Sequence, residues 1–363
     1  MIKILIYDQI DKQQWQELIE ASATATWFQT PEAYQFYVSV PDEMEPFAVG
    51  VQCDNKLVGV CVGYMTQTKS PLKQFLTRRA IIIGGPLLAE DISATALAAL
   101  LKAVAECRVY SVECKGNDEC KGNENSGAVT SASTPYTLRP TPIYIETRNS
   151  HDYSRWKSVF ETNGYAYQPH LNFHVDTSSP EVVDQNLGKS RKRDIRTTIR
   201  DGVTPVYQPT IEQVRAYYNI LLDLYKTKVK TPLFRWEWFE QLYRCPDARF
   251  ILTELEGKIV GGTVCMELKG KALYEWFACG IDGVYPHIYP STYATYLGIK
   301  YAAENGCKIF DMMGAGKPEE AYGVRDFKAK FGGELVEHGR FLCVRKPLLY
   351  KLGKLGVKLL KRG

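Results

Sequence analysis

The sequence contains no G-x-S-x-G turn, no G-x-x-x-x-G-K-[ST] loop and no G-x-G-x-x-G fingerprint. It therefore carries none of the local signatures of a serine hydrolase elbow, a phosphate-cradling P-loop or a dinucleotide fold. Gly314-Ala315-Gly316 comes nearest, lacks the next glycine and reads as a turn. Histidine is scarce, and none of His151, His170, His174, His287 or His338 stands in a catalytic or ligating spacing, so each reads as structural or solvated. No apolar run approaches the ~20 residues of a membrane span. The opening Met1-Ile2-Lys3-Ile4-Leu5-Ile6-Tyr7 has too short an apolar core for a signal peptide and reads as a first strand, so a cytoplasmic protein is expected. Ten cysteines are scattered, and Cys61, Cys265, Cys279 and Cys343 sit in apolar runs, where a thiol in a reducing compartment behaves as a small hydrophobe. Cys114 and Cys120 are the only close pair and have no histidine near them, so no zinc or other metal site is expected.

Net charge is also small, +4, so a polyanion could be held only by local clusters. Residues 188–200 carry Lys189, Arg191, Lys192, Arg193, Arg196 and Arg200 against one acid, Asp194, and read either as a phosphate-holding surface or as a solvated helix face. Residues 340–363 contain eight lysines and arginines and no acid. Within them Leu348, Leu352, Leu355 and Leu359 recur at helical spacing while Lys351, Lys354, Lys358 and Lys361 fall on another face. This is the pattern of a basic helix on an anionic membrane, or of one docked on the first domain, with Gly353 and Gly356 weakening it.

A chain of 363 residues exceeds what one core usually serves, and two domains are expected. Asp11 with Gln14, and Thr30-Pro31-Glu32, mark helix starts. Residues 47–65 alternate around Asp54-Asn55 as a hairpin, 80–88 read as a strand and 92–106 as a helix. Residues 114–142, with the near-duplicate ECKGNDECKGNE, lack the apolar side chains that offset ordering entropy and read as a flexible surface insertion. The second half repeats the first: Asn55-Lys56-Leu57-Val58-Gly59-Val60-Cys61-Val62 aligns with Gly257-Lys258-Ile259-Val260-Gly261-Gly262-Thr263-Val264, and an aromatic-rich helix ending in Pro-Asp (Pro41-Asp42, Pro246-Asp247) precedes each copy. A duplicated α/β unit accounts for both. The expected division is 1–175 and 176–339, with 340–363 returning to the first domain.

Residues 308–333 concentrate the candidate chemistry. A short buried strand ends in a glycine-rich turn, and a second extended or turn segment then delivers Phe327 and Lys328 before Phe331, Gly332 and Gly333. An aromatic and a lysine flanked by glycines can hold one positive charge at a reaction centre. The order of elements, Arg193-x-x-Arg196 followed by Gly202-Val203, Phe310-Asp311-x-x-Gly314 and Phe327-Lys328-x-x-Phe331-Gly332 resemble the Fem-type aminoacyltransferases.

The resemblance implies an α/β fold of two tandem GNAT-like domains, each a mixed, mostly antiparallel sheet flanked by helices. It implies transfer of an aminoacyl group from aminoacyl-tRNA, as co-substrate and with no other cofactor, to an amine of a lipid- or nucleotide-linked peptidoglycan-type precursor. By position, Lys328 matches the family lysine that steadies charge on the reacting ester, with Phe327 beside it. Arg235 and Phe239 fall where the family sets an arginine and an aromatic against the precursor, and Tyr274 falls near a substrate-contacting tyrosine. Arg191, Lys192, Arg193, Arg196 and Arg200 then become candidates for tRNA phosphates, and 344–363 for contact with the inner face of the membrane. The sequence departs from the family in having no basic residue between Gln29 and Asn55, where a diphosphate-gripping lysine is expected, and in lacking a long helical arm. Two other readings remain: the same fold using acyl-CoA or an acyl carrier, and a non-catalytic protein binding RNA or glycolipid at the membrane.

Overall fold

A computed structural model describes residues 1–106 and 141–360, with the backbone alone described for 356–360. The insertion at 114–142, apart from its last two residues, and the pair Cys114 and Cys120 lie outside the described residues, as do the side chains of Lys358 and Leu359 and all of Lys361.

The first half runs β1 (Ile2–Ile6), α1 (Lys12–Ala21), α2 (Pro31–Val38), β2 (Met44–Cys53), β3 (Lys56–Thr66), α3 (Pro71–Thr77), β4 (Ala80–Gly84), β5 (Leu87–Leu88), α4 (Ala94–Ala105), β6 (Tyr144–Asn149), α5 (Lys157–Thr162) and β7 (Ala166–Gln168). The second runs β8 (Leu171–Asp176), α6 (Pro180–Asn186), α7 (Lys189–Arg200), β9 (Thr204–Val206), α8 (Ile211–Leu224), α9 (Trp236–Arg244), β10 (Ala248–Leu255), β11 (Lys258–Leu268), β12 (Ala272–Gly280), α10 (Pro290–Glu304), β13 (Ile309–Gly314), α11 (Gly323–Ala329), β14 (Glu334–Glu337), β15 (Arg340–Val344) and α12 (Pro347–Leu360).

Local signals account for most of these starts. Asp11 accepts the Gln14 amide at 2.8 Å, although the Gln14 side chain accepts the Leu57 amide instead of completing a box, while Thr210 and Gln213 cap α8 reciprocally. Asp54 and Asn55 both take positive φ, 47° and 66°, as the tight turn between β2 and β3 needs. The expected strand at 80–88 is broken after Gly84, and β4 and β5 pair with different stretches of β3.

The sheets follow the orders β1-β2-β3-β4-β6-β15-β7 and β14-β8-β13-β12-β11-β10-β9, with β5 on β3. Read from β1 and from β9, the two are the same ladder, and each contains one strand from the far side of the other. Strand β8 follows β7 by two residues yet joins the second sheet, so the second unit begins near Leu171 and takes in 171–175, which were expected to close the first domain. Strand β15 follows β14 by two residues yet inserts between β6 and β7 of the first sheet.

The reciprocal exchange crosses at Pro169-His170 and His338-Gly339. There Gly339 N donates to His170 O at 3.1 Å, and Asn149 Nδ2 donates to His338 O at 3.0 Å. Gly339 has φ +66°, and a Cβ on it would lie 2.2 Å from the Tyr167 ring, so only glycine fits.

Three cores result. One lies between the outer face of the first sheet and α4, built on Ile82, Leu97, Leu100, Phe160 and Phe341. A second lies under α10, on Leu273, Tyr293, Leu297 and Phe310. The third joins the halves. Phe28 and Phe36 meet Trp276 edge to face at 5.2 and 6.1 Å, Trp27 Nε1 donates to Asp247 at 2.9 Å, and Lys271 Nζ caps the end of α1 through the carbonyls of Ile19 and Ser22, both at 2.6 Å.

The exchange predicts an asymmetric response to truncation. Phe341 of β15 stacks on Phe160 at 3.9 Å, and Phe341→Ala is expected to lower the unfolding free energy by about 3–5 kcal/mol. Leu335→Ala on half-exposed β14 should stay within about 0.5 kcal/mol of wild type, both read from denaturant midpoints.

Candidate active site

Strands β12 and β13 run parallel and pair over only three positions, Ala272 to Tyr274 against Ile309 to Asp311. Beyond them β12 carries a bulge, since Cys265 of β11 faces Glu275 while Val264 faces Phe277, leaving Trp276 as the extra residue. Strand β13 meanwhile shifts register against β8 between Asp311 and Gly314, with Met313 at φ +60°. The two strands therefore part, leaving carbonyls at the end of β13 without ladder partners.

Lys328 fills that opening. Its Nζ donates to the carbonyls of Met312 and, at 2.9 Å, Gly314, and the residue is only 8% exposed. Burial lowers its pKa from the ordinary lysine value, opposed by the carboxyls of Glu275 and Asp311. Glu275 is buried, accepts Thr263 Oγ1 at 3.2 Å and Thr295 Oγ1 at 2.9 Å, and is pushed above the usual carboxyl range by burial, against the pull of the Lys328 charge. Asp311 accepts Met313 N at 2.6 Å and lies 3.5 Å from His174 Nε2; burial alone would raise its pKa, but the imidazole and the amide hold it below the ordinary range.

Phe327 and Lys328 sit on α11, not on the extended or turn segment expected from sequence. Phe327 and Phe331, one helical turn apart, both pack on the second core side, and this spacing sets the segment as a helix. Arg191 holds it in place. Its guanidinium donates to Thr292 Oγ1 at 2.9 Å and to Phe327 O at 3.3 Å, and lies 4.5 and 5.0 Å from the Phe327 and Phe331 ring centroids. Arg191 is thus a buried clamp between α7, α10 and α11 and cannot meet tRNA phosphates in this conformation.

The remaining cations of α7 are more accessible. Arg193, Arg196 and Arg200 are exposed along one stripe, Arg193 beside Asp194 and Arg200 beside Asp201, while half-buried Lys192 lies 3.6 Å from Asp184.

The three residues matched to a precursor site are placed otherwise. Arg235 precedes α9 rather than lying on it, and bridges to Asp42 at 2.9 Å and Glu43 at 2.7 Å of the first half. Phe239 is fully buried among Tyr218, Trp238 and Phe277. Tyr274 is buried against Phe28 with its hydroxyl 3.4 Å from Ala25 O. Arg235 and Tyr274 thus contact the first half, while Phe239 packs within the second.

Sequence reading missed Glu275, and it read the histidines as structural or solvated without foreseeing that they cluster. Glu275 was detectable as a carboxyl at an inward position of the apolar run LYEWFACG. His151, His174 and His338 come from three segments that meet only through the strand exchange, with ring centroids 5.2 to 6.3 Å apart, beside Asp311. Four of the five histidines, counting His170 against Arg340 Nη2 at 2.8 Å, thus line the crossing. A cavity of 640 Å³ lies elsewhere, on the first half between α1 and the β5–α4 connection, bordered by Glu17, Lys56, Glu90, Asp91 and Arg155.

A family model for the Acetyltransferase (GNAT) domain matches residues 189–328, the segment from α7 through Lys328. Among solved structures the chain is similar to FemX at 14% identity and a TM-score of 0.67, over 96% of this chain and 99% of that one. It is also similar to the C-terminal domain (DUF2156) of a putative lysylphosphatidylglycerol synthetase from Agrobacterium fabrum, at 12% identity and a TM-score of 0.55 over 95% of each chain. A tandem GNAT protein from the clavulanic acid biosynthesis pathway matches at 10% identity and 0.53, over 94% and 98%. No curated protein matches the sequence. The domain match marks residues 189–328 as GNAT-like, and the solved structures extend that likeness of fold to the whole chain. The chain thus has the Fem-like tandem GNAT fold.

The histidine cluster sets a pH dependence. Burial first, then the neighbouring imidazolium charge of His174, lowers His151 to about 4, and burial lowers His338 as well. The unfolded chain therefore binds more protons below the ordinary histidine value, and stability falls as pH drops from 6.5 toward 4. His174, raised by Asp311, contributes fully across that window, and Glu275, raised by burial, opposes the trend as it protonates. Unfolding free energies measured from pH 7 to 4 should decline, and His151→Asn should reduce the slope by about 1 kcal/mol per pH unit.

Proposed function

We propose that this protein is an N-acyltransferase that moves an aminoacyl group from aminoacyl-tRNA to an amine of a cell-envelope precursor of the peptidoglycan type. The observation that carries this reading is the donor count at Lys328. An ammonium has three N–H donors, and the carbonyls of Met312 and Gly314 occupy two, leaving one directed charge at the point where β12 and β13 part.

Aminoacyl transfer asks for little more. The acceptor amine forms the new C–N bond at the ester carbonyl, the carbonyl oxygen gathers negative charge, and the C–O bond to the ribose breaks as the alkoxide takes a proton. The third proton of Lys328 stabilises the oxyanion, in a setting where water does not screen it. Glu275, with its affinity for protons raised by burial, is the buried base available to take the proton from the attacking amine. No covalent nucleophile is required, because the ester is already activated and the protein's task is juxtaposition.

Arg193, Arg196 and Arg200 supply sequence-independent phosphate contacts for tRNA, with Arg191 removed from that role. Arg235 and Tyr274 act by fixing the two halves together, and Phe239 by packing the second-half core. The acceptor's diphosphate, if it has one, is held by groups other than a lysine after Gln29. A GNAT reading with an acyl-thioester donor is favoured by one observation, the match of residues 189–328 to an acetyltransferase domain, and the donors are separable by experiment.

Transfer of labelled amino acid from charged tRNA to a lipid-linked muropeptide should fall about 10²–10³-fold in Lys328→Met, with Lys328→Arg keeping an intermediate rate. Equal rates in wild type and Lys328→Met would end the mechanistic claim. Thermal stabilisation by acyl-CoA and not by aminoacyl-tRNA would transfer the donor assignment to the thioester. Replacing Arg193 and Arg196 by Glu should weaken tRNA binding and reduce the slope of log K against log salt by about 1–2.

A further inference from the structure

We infer that α3 and α12 together form a docking surface for an anionic lipid bilayer, built from two segments far apart in sequence. Helix α12 packs beside α3, and Tyr350 sits edge-on to Tyr144 of β6 at 5.5 Å, so the helix is seated on the first half. It is nevertheless seated with its leucine stripe outward: Leu348 is 78% exposed, Leu352 62% and Leu355 59%. Helix α3 does the same, exposing Leu72 at 69% and Phe75 at 52%, with Leu76 beside them. A soluble surface scatters such residues singly, whereas here they lie on two adjoining helices.

The charge around them selects the occupant. Lys69, Lys73, Arg345, Lys351 and Lys354 are exposed in the same two segments, and Lys346 Nζ lies 5.0 Å from the Phe75 ring centroid, joining the two helices. Neither residues 67–79 nor residues 340–363 contain a single carboxylate side chain. Lys69 pairs with an acid outside these segments, Asp42 at 3.1 Å, and the buried Arg78 and the half-buried Arg340 pair inward with Glu45 and Glu146, away from the exposed patch. A second copy of the chain would oppose these cations with the same cations, and a nucleic acid would leave the leucines and Phe75 in water. An interface of acyl chains beneath anionic headgroups satisfies both sets at once, with apolar side chains entering and lysine stems reaching back to the phosphates. Among the described residues no helix is long and apolar enough to cross a membrane, so the contact is one of lying on the surface.

Because the test needs neither donor nor acceptor, it stands or falls separately from the transfer reaction. The full chain is sedimented with phosphatidylcholine vesicles and with vesicles in which phosphatidylglycerol replaces part of the phosphatidylcholine. Binding is expected to the anionic vesicles only, weakening as salt rises. Lys73→Glu/Lys351→Glu/Lys354→Glu should lower partitioning at least about tenfold, and Leu72→Ser/Leu352→Ser/Leu355→Ser should lower it by a similar factor even at low salt. All six positions are exposed, so both variants should fold as wild type. Equal binding to both vesicle types, no binding to either, or wild-type partitioning by the leucine variant would overturn the inference. So would a dimer in solution that the leucine substitutions dissociate.

Discussion

The exchange of β8 and β15 is the constraint from which the rest of the architecture follows. Each sheet is completed by a strand whose sequence neighbour belongs to the other sheet, so neither half can close its ladder without the other. Backbone groups along an unpaired edge strand would otherwise be left to solvent or to foreign chains. The link is reinforced by packing: Trp27, Phe28 and Phe36 interlock with Trp238 and Trp276, and Arg235 and Lys271 reach across from the second half to the first. The crossing is also where His151, His174 and His338 are gathered, so burial of titratable groups there is a by-product of how the chain is threaded.

The two halves repeat one ladder but not one opening. In the first, β4 and β6 stay paired from Ala80 to Gly84 against Ile145 to Asn149, and the irregularity is displaced to the break between β4 and β5. In the second, β12 and β13 part after three pairs and a bulge at Trp276 accentuates the divergence. Among the described residues, the second half alone places a buried lysine at that point. At this place the two copies differ by a few ladder hydrogen bonds.

Keeping a lysine charged in that opening depends on its surroundings. Burial disfavours the ammonium, while two strand carbonyls and the carboxyls of Glu275 and Asp311 favour it. Arg191, packed against both the Phe327 and Phe331 rings, fixes the helix that carries the lysine. The most basic stretch of the sequence therefore divides by helical face, with one arginine inward as a structural clamp and the others outward.

By itself the sequence determined the duplicated α/β plan, the hairpin at Asp54-Asn55, the caps at Thr30 and Thr210, and the pairing of Phe327 with Lys328. These are set by contacts between residues close in the chain, where periodicity, turn chemistry and capping leave direct traces. Only the tertiary structure decided that Arg191, Arg235, Phe239 and Tyr274 are buried or bridging, that the strand from Leu171 joins the second sheet, that Glu275 comes within electrostatic reach of the lysine, and that Leu348, Leu352 and Leu355 of α12 are exposed near α3. Each of those depends on which segment lies opposite another across many residues. A side chain's type records what it can bond to, whereas its partner is chosen by the threading of strands between sheets, which no local pattern encodes.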